Sequence, residues 1–565
     1  MDRLFAYFDH LKPGDRLLFA CALGALVITF LLAVVQVSNR FLVETPLHGD
    51  ALTEGFVGVP RFINPVLATT QLDKDLSALV YAGVMQIDAE GNLAYDLAED
   101  VAINDEGTTY TITLAQNRMW SDGTPVTAED VAFTIRTTQD AIVGSSLRAP
   151  FQHVSVEVVG THEVVLTIPA RDPGFLELLT IGILPAHIWS PIAPDRLSYS
   201  DYNLTPVGAG KFTLATRKTS IDGSPEVFVF VPQGVSTDAP RVNLHARFFP
   251  NDELRIGALL AGTIDMAASI DAASAARIQA ASDVSLMTRT LPRTFGVFFN
   301  QKTAPALLDT AAREALDLLI DREALTHAVL GSYGESTSEP LPVAWKTGVD
   351  GLTPAEDKSI GLEAARARLE RGDWEWHEDE SLWAKKIAGA TTTLSFTITT
   401  LNTPVFTETA AAFAARLAEL GVPTKVIARE RADMNSTIAA REYEMLLYGT
   451  AFGRARDLYP FWHSSRRVEP GLNVALYTNL SADTSLEHMR SATTTEAYGA
   501  AYESFMTAFR ADTPALFLFS PYFIYAVRDD VTLELPARIV DQSERFALIQ
   551  TWYKETERVW KIFAK

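Results

Sequence analysis

A single cysteine, Cys21, in 565 residues excludes any intrachain disulfide framework and any thiolate-rich metal centre. Basic residues are also short: 48 Lys and Arg stand against 70 Asp and Glu, a formal net charge of −22. Nucleic-acid binding needs concentrated Lys and Arg, so no nucleic-acid partner is expected. Charged residues of both signs make up only 21% of the chain while 47% is hydrophobic, which excludes a mainly disordered protein. No repeat of fixed period and no low-complexity tract occurs. At roughly 150 residues per domain the length corresponds to about four domain equivalents.

The motifs of common catalysts are missing too. Pro206-Val207-Gly208-Ala209-Gly210-Lys211-Phe212 looks like a phosphate loop, but Thr205 stands where the first glycine belongs and Phe212 replaces the hydroxyl residue. The segment reads as a turn. His162-Glu163 lacks the second histidine of a zinc-protease helix, and His377 lies in the acidic stretch Trp376–Glu380, read as a solvated loop. There is no G-x-S-x-G elbow, and the lone Cys21 sits in an apolar run. The chain is therefore read as a non-enzyme with no catalytic residue, cofactor or metal.

That apolar run extends from Leu17 to Val35 without a charge, and Thr29 is its only clearly polar residue. At about 1.5 Å per residue it nearly spans a bilayer core. Arg3, Lys12 and Arg16 precede it and only Arg40 follows closely, which places the N-terminus in the cytoplasm and the body outside the cell membrane. Leu18-Phe19-Ala20-Cys21 resembles a lipoprotein cleavage box at the wrong end of the run, and Val35-Gln36-Val37-Ser38 matches a signal-peptidase site poorly. Residues 1–44 are thus expected to be a cytoplasmic tip, a transmembrane anchor and a linker.

Beyond the anchor the pattern is mixed α and β. Tyr110, Ile112 and Leu114 alternate with threonines, as in a half-buried strand. Val154, Val156 and Val158, then Val164, Leu166 and Ile168, flank Gly160-Thr161-His162 and predict an antiparallel hairpin. Leu394–Leu401 reads as strand. Thr403-Pro404 starts a helix carrying Ala410, Phe413, Ala414, Leu417 and Leu420, which stops at Gly421 before a second strand, Pro423–Ile427. That is a βαβ unit with a parallel pair. Ala311–Leu330 predicts one further amphipathic helix. Hairpins early and α/β units late suggest at least two lobes, with ligand between them.

Trp120-Ser121-Asp122-Gly123-Thr124-Pro125-Val126-Thr127-Ala128-Glu129-Asp130-Val131 closely follows the pattern W-x-DG-x-P-x-TA-x-DV. With Phe62-Ile63-Asn64-Pro65, Leu79–Val84, Asp96–Glu99, Pro206–Phe212, Ala261–Asp265, Arg313–Leu316, Ile320–Arg322 and Asp512-Thr513-Pro514, it resembles the extracytoplasmic solute-binding proteins of bacterial ABC importers, peptide, dipeptide and nickel class (family 5). The resemblance covers about residues 50 to 560. It implies an α/β bilobal periplasmic-binding-protein-like fold (type II, large class with an extra subdomain) behind one N-terminal transmembrane helix. The discontinuous lobe I would comprise residues 45–84, 204–292 and 515–565, the extra subdomain 85–203, and lobe II 293–514. Most of the matching phrases also make sense as scaffold.

The function implied is capture of oligopeptides or a similar small solute by hinge closure, by a monomer that hands its ligand to ABC permease subunits. The other reading is a tethered sensor or envelope scaffold with the same fold. Ligand contacts are expected along Tyr448, Gly449, Thr450, Ala451, Phe452, Arg454, Arg456, Asp457 and Trp462, and at Thr69 and Thr70. Related sequences carry an acidic phrase where Arg454-Ala455-Arg456-Asp457 stands here, so these arginines either receive an anionic group such as a carboxylate or are solvated rim residues. Tyr448 and Trp462 line the cleft or belong to the core, and Thr69 and Thr70 touch ligand or only shape a turn.

Overall fold

In the computed structural model, which describes residues 12–47, 49–221, 223–234, 239–281, 283–346 and 361–560, the threonine-rich alternation forms the strand Thr109–Leu114, with Tyr110, Ile112 and Leu114 buried. The expected hairpin is Ser155–Gly160 paired antiparallel with Glu163–Thr167. Together with Ala98–Ile103 these strands make a four-stranded antiparallel sheet. Against it packs the helix Ala128–Gln139, which the W-x-DG-x-P phrase leads into. Asp130 is the anchor of that phrase: one carboxylate oxygen accepts the N–H (2.8 Å) and hydroxyl (3.0 Å) of Thr127, and the other accepts the Ala186 N–H at 2.7 Å. Asp130→Ala strands these buried donors, and a loss of about 2–4 kcal/mol in unfolding free energy is expected by chemical denaturation.

The βαβ unit is present as Phe396–Leu401, Pro404–Leu420 and Thr424–Arg429, with the two strands parallel and Gly421 in the left-handed conformation at the helix end. Two expectations need correction. Ala311–Leu330 is two helices, Thr310–Leu319 and Arg322–Leu330, because Ile320 is extended and the Asp321 carboxylate accepts the Ala324 N–H at 2.9 Å. An aspartate that caps the next turn competes with continuation of the helix before it. His377 is exposed, as expected, but lies in the strand Glu375–His377 of a three-stranded sheet, where Trp376 stands opposite Trp383.

One 12-stranded sheet runs through the molecule. Its continuity rests on the strand Ala515–Arg528, whose first part (Ala515–Phe519) pairs with Arg293–Phe299 and whose last part (Tyr522–Arg528) pairs with Val284–Thr290. Two apolar cores meet there. The first gathers side chains between Leu52 and Leu291 and between Phe523 and Trp552, and the second those between Phe295 and Phe519. The chain passes between these two bodies at Leu291–Phe295 and again at Phe519–Phe523, the second crossing lying within the strand Ala515–Arg528.

Inside the first body a buried ion triad joins three distant segments. Arg545 donates to Glu54 Oε1 (3.0 Å) on the strand Ala51–Val57 and to Asp75 Oδ2 (2.8 Å) on the helix Gln71–Val80, and all three are buried. The Pro206–Phe212 turn packs on the end of that same helix: a Cβ on Gly208 would lie 2.0 Å from the Val80 carbonyl oxygen. Its glycines allow close backbone approach and make no phosphate cradle.

The N-terminal helix is Pro13–Phe41, and its described side chains from Leu17 to Ala33 are exposed. Over the described residues alone, no helix is long and apolar enough to cross a membrane. The strand that follows, Leu42–Pro46, pairs antiparallel with Thr556–Trp560, so the last strand of the chain returns to the foot of the helix.

Candidate functional site

The segment expected to meet ligand begins as the strand Met445–Ala451, in which Arg293 lies opposite Ala451. Its first half belongs to the second core. Tyr448 is half-buried and stacks on Phe406 at 6.1 Å, and Gly449 lies against the Phe295 ring. The buried Thr450 hydroxyl donates to the Thr294 carbonyl at 3.4 Å, and Ala451 is exposed. Phe452 is buried edge-on against Phe461, and its N–H donates to the Pro292 carbonyl at 2.8 Å. Trp462 is 1% exposed, edge-on to Phe509. Of the two readings for Trp462, the structure places it in the core.

After Phe452 the chain turns toward the first body and delivers Arg454 across the seam. The Arg454 Nε–H donates to the Gly91 carbonyl at 2.8 Å. Nη1 donates to Glu177 Oε1 at 3.1 Å and to Glu544 Oε1 at 2.9 Å, and the backbone N–H donates to Glu177 Oε2 at 2.7 Å. The arginine side chain is 11% exposed. Gly453 leaves room beside it for this carboxylate, since a Cβ there would sit 2.4 Å from Glu177 Oε2 and displace it. Burial pushes the Glu177 carboxyl above the usual range although Arg454 pulls the other way. Burial would lower the Arg454 pKa, but the hydrogen bonds and charge of Glu544, reinforced by Glu177, hold it above its ordinary value. Of the two readings for Arg454, a solvated rim position is excluded by its burial, and the carboxylates it meets belong to the protein itself.

Arg456, in the left-handed conformation at φ 53°, donates to the Trp345 carbonyl at 3.3 Å and lies over the Tyr498 ring. Its buried Nε has no partner, and burial pulls its pKa below the ordinary value. Asp457 is held by Arg490 through two hydrogen bonds, 2.9 and 2.6 Å, and accepts the Tyr459 N–H. These residues and Pro173 of the first body enclose a cavity of about 230 Å³. On the other side of the Arg454 bridge a second cavity, about 380 Å³, reaches between the helix Gln71–Val80 and the 85–203 region, with Glu177 and Glu544 in its wall. Thr69 is exposed in the loop before that helix. Thr70 caps the helix, its hydroxyl accepting the Asp73 N–H at 3.1 Å.

Arg454, Arg456 and Asp457 are thus brought together at the seam, whereas Thr450, Phe452 and Trp462 are packed inside the second body. Sequence reasoning missed Glu177 and Glu544. Glu177 lies in a four-residue helix, Phe175–Leu178, with no motif around it, and no local signal pairs it with a glutamate near the C-terminus. Among the described residues no group of His, Cys, Asp and Glu could hold a metal ion.

The chain is similar to the oligopeptide-binding protein AppA of Bacillus subtilis, 23% identical over 487 residues that span 84% of this chain and 87% of that protein. Its fold is similar to the structure of that AppA in complex with a nonapeptide, with TM-score 0.69, 21% identity, and coverage of 90% of this chain and 100% of the other. NikZ from Campylobacter jejuni in complex with Ni(L-His) is equally similar, with TM-score 0.69, 21% identity, and coverage of 89% and 99%. These likenesses show the bilobal α/β fold. Residues 92–468, more than half of the chain, match the family model for the middle region of bacterial extracellular solute-binding proteins, family 5, and the chain belongs to that family.

Proposed function

We propose that this protein captures an oligopeptide or a similar small solute between its lobes and presents it to ABC permease subunits, acting as a monomer outside the cell membrane. The observation that carries the reading is the Arg454 bridge, in which one side chain of the second lobe is bonded to two carboxylates and a carbonyl of the first, beside a cavity that Pro173 of the first lobe lines together with Arg456 and Asp457 of the second. Groups from both sides of a hinge enclose space only when the lobes close, so ligand contacts made in the closed form favour that form. The hydrogen-bonding backbone of an extended peptide suits such a cleft. Arg456 and Asp457 are proposed as rim contacts. Thr69, Thr70, Tyr448, Gly449 and Ala451 are proposed as further contacts in the open form. The chemistry asked of the protein is binding and closure, with no covalent step.

The helix Pro13–Phe41 is proposed as an uncleaved anchor. Its 29 residues extend about 43 Å at 1.5 Å rise per residue, longer than a hydrocarbon core of roughly 30 Å, and its side chains from Leu17 to Ala33 are exposed. Two measurements test these readings. Native mass spectrometry of the full chain in detergent is expected to show a co-purified peptide-sized ligand, and no ligand together with no thermal shift across a peptide library would overturn capture. Residues 42–565 are expected to partition into the soluble fraction while the full chain stays with membranes after alkaline extraction. Release of the full chain by that extraction would overturn anchoring.

A further inference from the structure

The carboxylates at the seam are all matched: Glu177 and Glu544 by Arg454, Asp457 by Arg490, and Asp541 by Gln71, Ser543 and Lys74. Two cations are left over, Arg456 and Arg293. Among the described residues, neither guanidinium has a carboxylate within ion-pair distance.

Arg456 stands in the wall of the 230 Å³ cavity. Its Nε is enclosed and cannot be reached, and Nη1 donates to the Trp345 carbonyl at 3.3 Å. Nη2 makes no hydrogen bond and, unlike Nε, is not enclosed. The Tyr498 ring, 5.1 Å from the guanidinium carbon, fixes the side chain in that wall. Asp457 is the one acid among the residues lining the cavity, and Arg490 neutralises it with two hydrogen bonds.

Arg293 begins the strand Arg293–Phe299 at the first crossing between the two bodies, opposite Ala451. Cross-strand partners point to the same face of a sheet. Ala451 is exposed, so the half-buried Arg293 side chain emerges on an open face. It makes no side-chain hydrogen bond, and none of its nitrogens is enclosed. Trp345 ties the two arginines to one region: its Nε1–H donates at 3.1 Å to the carbonyl of Thr290, three residues before Arg293, and its own carbonyl accepts from Arg456. Burial pulls both arginine pKa values below the ordinary one, and at Arg456 the nearby Arg538 adds like-charge repulsion. A partly desolvated cation without a counter-ion is relieved by an anion that enters beside it.

We propose that the ligand site selects a carboxylate, received by Arg456 Nη2 in this cavity, with Arg293 as a second cation along the same seam. The assignment rests on the peptide reading given above, in which the carboxylate is either C-terminal or part of an Asp or Glu side chain. A ligand ammonium finds no free acid there, because Arg490 already occupies Asp457.

The test titrates the full chain in detergent with tetraalanine, its C-terminal amide, and amides carrying one Glu or one Gln at each position in turn. The free acid or the best Glu amide is expected to bind about tenfold tighter than its neutral counterpart, and whichever does so identifies the source of the carboxylate. Arg456→Gln is expected to abolish that preference, Arg456→Lys to keep part of it, and Arg293→Gln to reduce it about two- to threefold, with thermal unfolding unchanged. Raising salt from about 50 to about 500 mM should shrink the preference of the parent. Equal binding of acids and neutral counterparts, or a preference that survives Arg456→Gln, overturns the site and leaves peptide capture standing. Should Arg456→Gln not fold, a preference independent of both salt and Arg293→Gln overturns it. A second arm does not depend on peptides: ligand-observed NMR compares butyrate with butyramide, against micelles alone. A butyrate preference that Arg456→Gln removes, with no peptide bound, supports the site and overturns the peptide reading. Absence of any preference for the carboxylate in both arms overturns the site.

Discussion

Arg454→Ala is expected to weaken ligand capture about 100-fold while leaving the unfolding of the chain nearly unchanged. The substitution removes the only cation, among the described residues, bonded to both Glu177 and Glu544, whose side chains are 17% and 14% exposed. Removing one partner of such a buried ion pair typically costs about 3–5 kcal/mol, because the remaining charge is left desolvated. In this protein the cost falls on one conformation only. Opening of the lobes returns both carboxylates to water, so the penalty is felt as a shift of the hinge equilibrium and not as unfolding. A shift near 3 kcal/mol changes the closed fraction by about two orders of magnitude, and the apparent dissociation constant follows that fraction. Small-angle scattering should show a larger radius of gyration for Arg454→Ala than for the parent under identical conditions. Adding Glu177→Gln and Glu544→Gln to Arg454→Ala should recover part of the closure, since neutral amides are less costly to bury. Parent-like scattering and affinity in Arg454→Ala would show that the bridge forms after closure without favouring it.

Arg545→Met is expected to lower the unfolding free energy by about 3–5 kcal/mol near neutral pH, through the same electrostatics without an escape route. Arg545 and Glu54 are fully buried, Asp75 nearly so, and no hinge motion exposes them. Burial pushes the Glu54 carboxyl up to about 6 even with Arg545 beside it, and pushes Asp75 above the usual range. A carboxyl whose pKa is raised in the folded state stabilises fully below its unfolded value, and that contribution is lost as pH rises through the folded value. For Glu54 in the parent this window runs from about 4.5 to about 6. Without Arg545 both carboxyls rise further, so the deficit of Arg545→Met should be largest at alkaline pH and shrink as pH falls toward 5. Denaturation of both proteins across that range tests this, and a deficit independent of pH would exclude a titrating cause. Glu54→Gln should flatten the dependence of the parent, because it replaces the titrating carboxyl with an amide.

Much of the fold was legible before any coordinates. Tyr110, Ile112 and Leu114 declare a strand with one buried face, and Thr403-Pro404 with Gly421 marks both ends of the helix that crosses between parallel strands. The Trp120–Val131 phrase pointed to the family, and its residues prove to be scaffold: a turn, a helix cap and buried core side chains such as Trp120, Val126 and Val131. The break at Ile320–Asp321 was local yet missed, because apolar periodicity continues across it while the Asp321 carboxylate captures the next helix start.

By itself, then, the sequence determined the early hairpin, the βαβ unit, the family and a long apolar segment at its N-terminal end. Each depends on neighbouring residues or on short phrases read in order. Only the tertiary structure decided that Trp462, Phe452 and Thr450 are core and that Arg454 is answered by Glu177 and Glu544. Periodicity reports whether a side chain is buried, never against what. At this seam the groups in contact come from segments far apart in the chain, brought together by the packing of two lobes about the crossing strands.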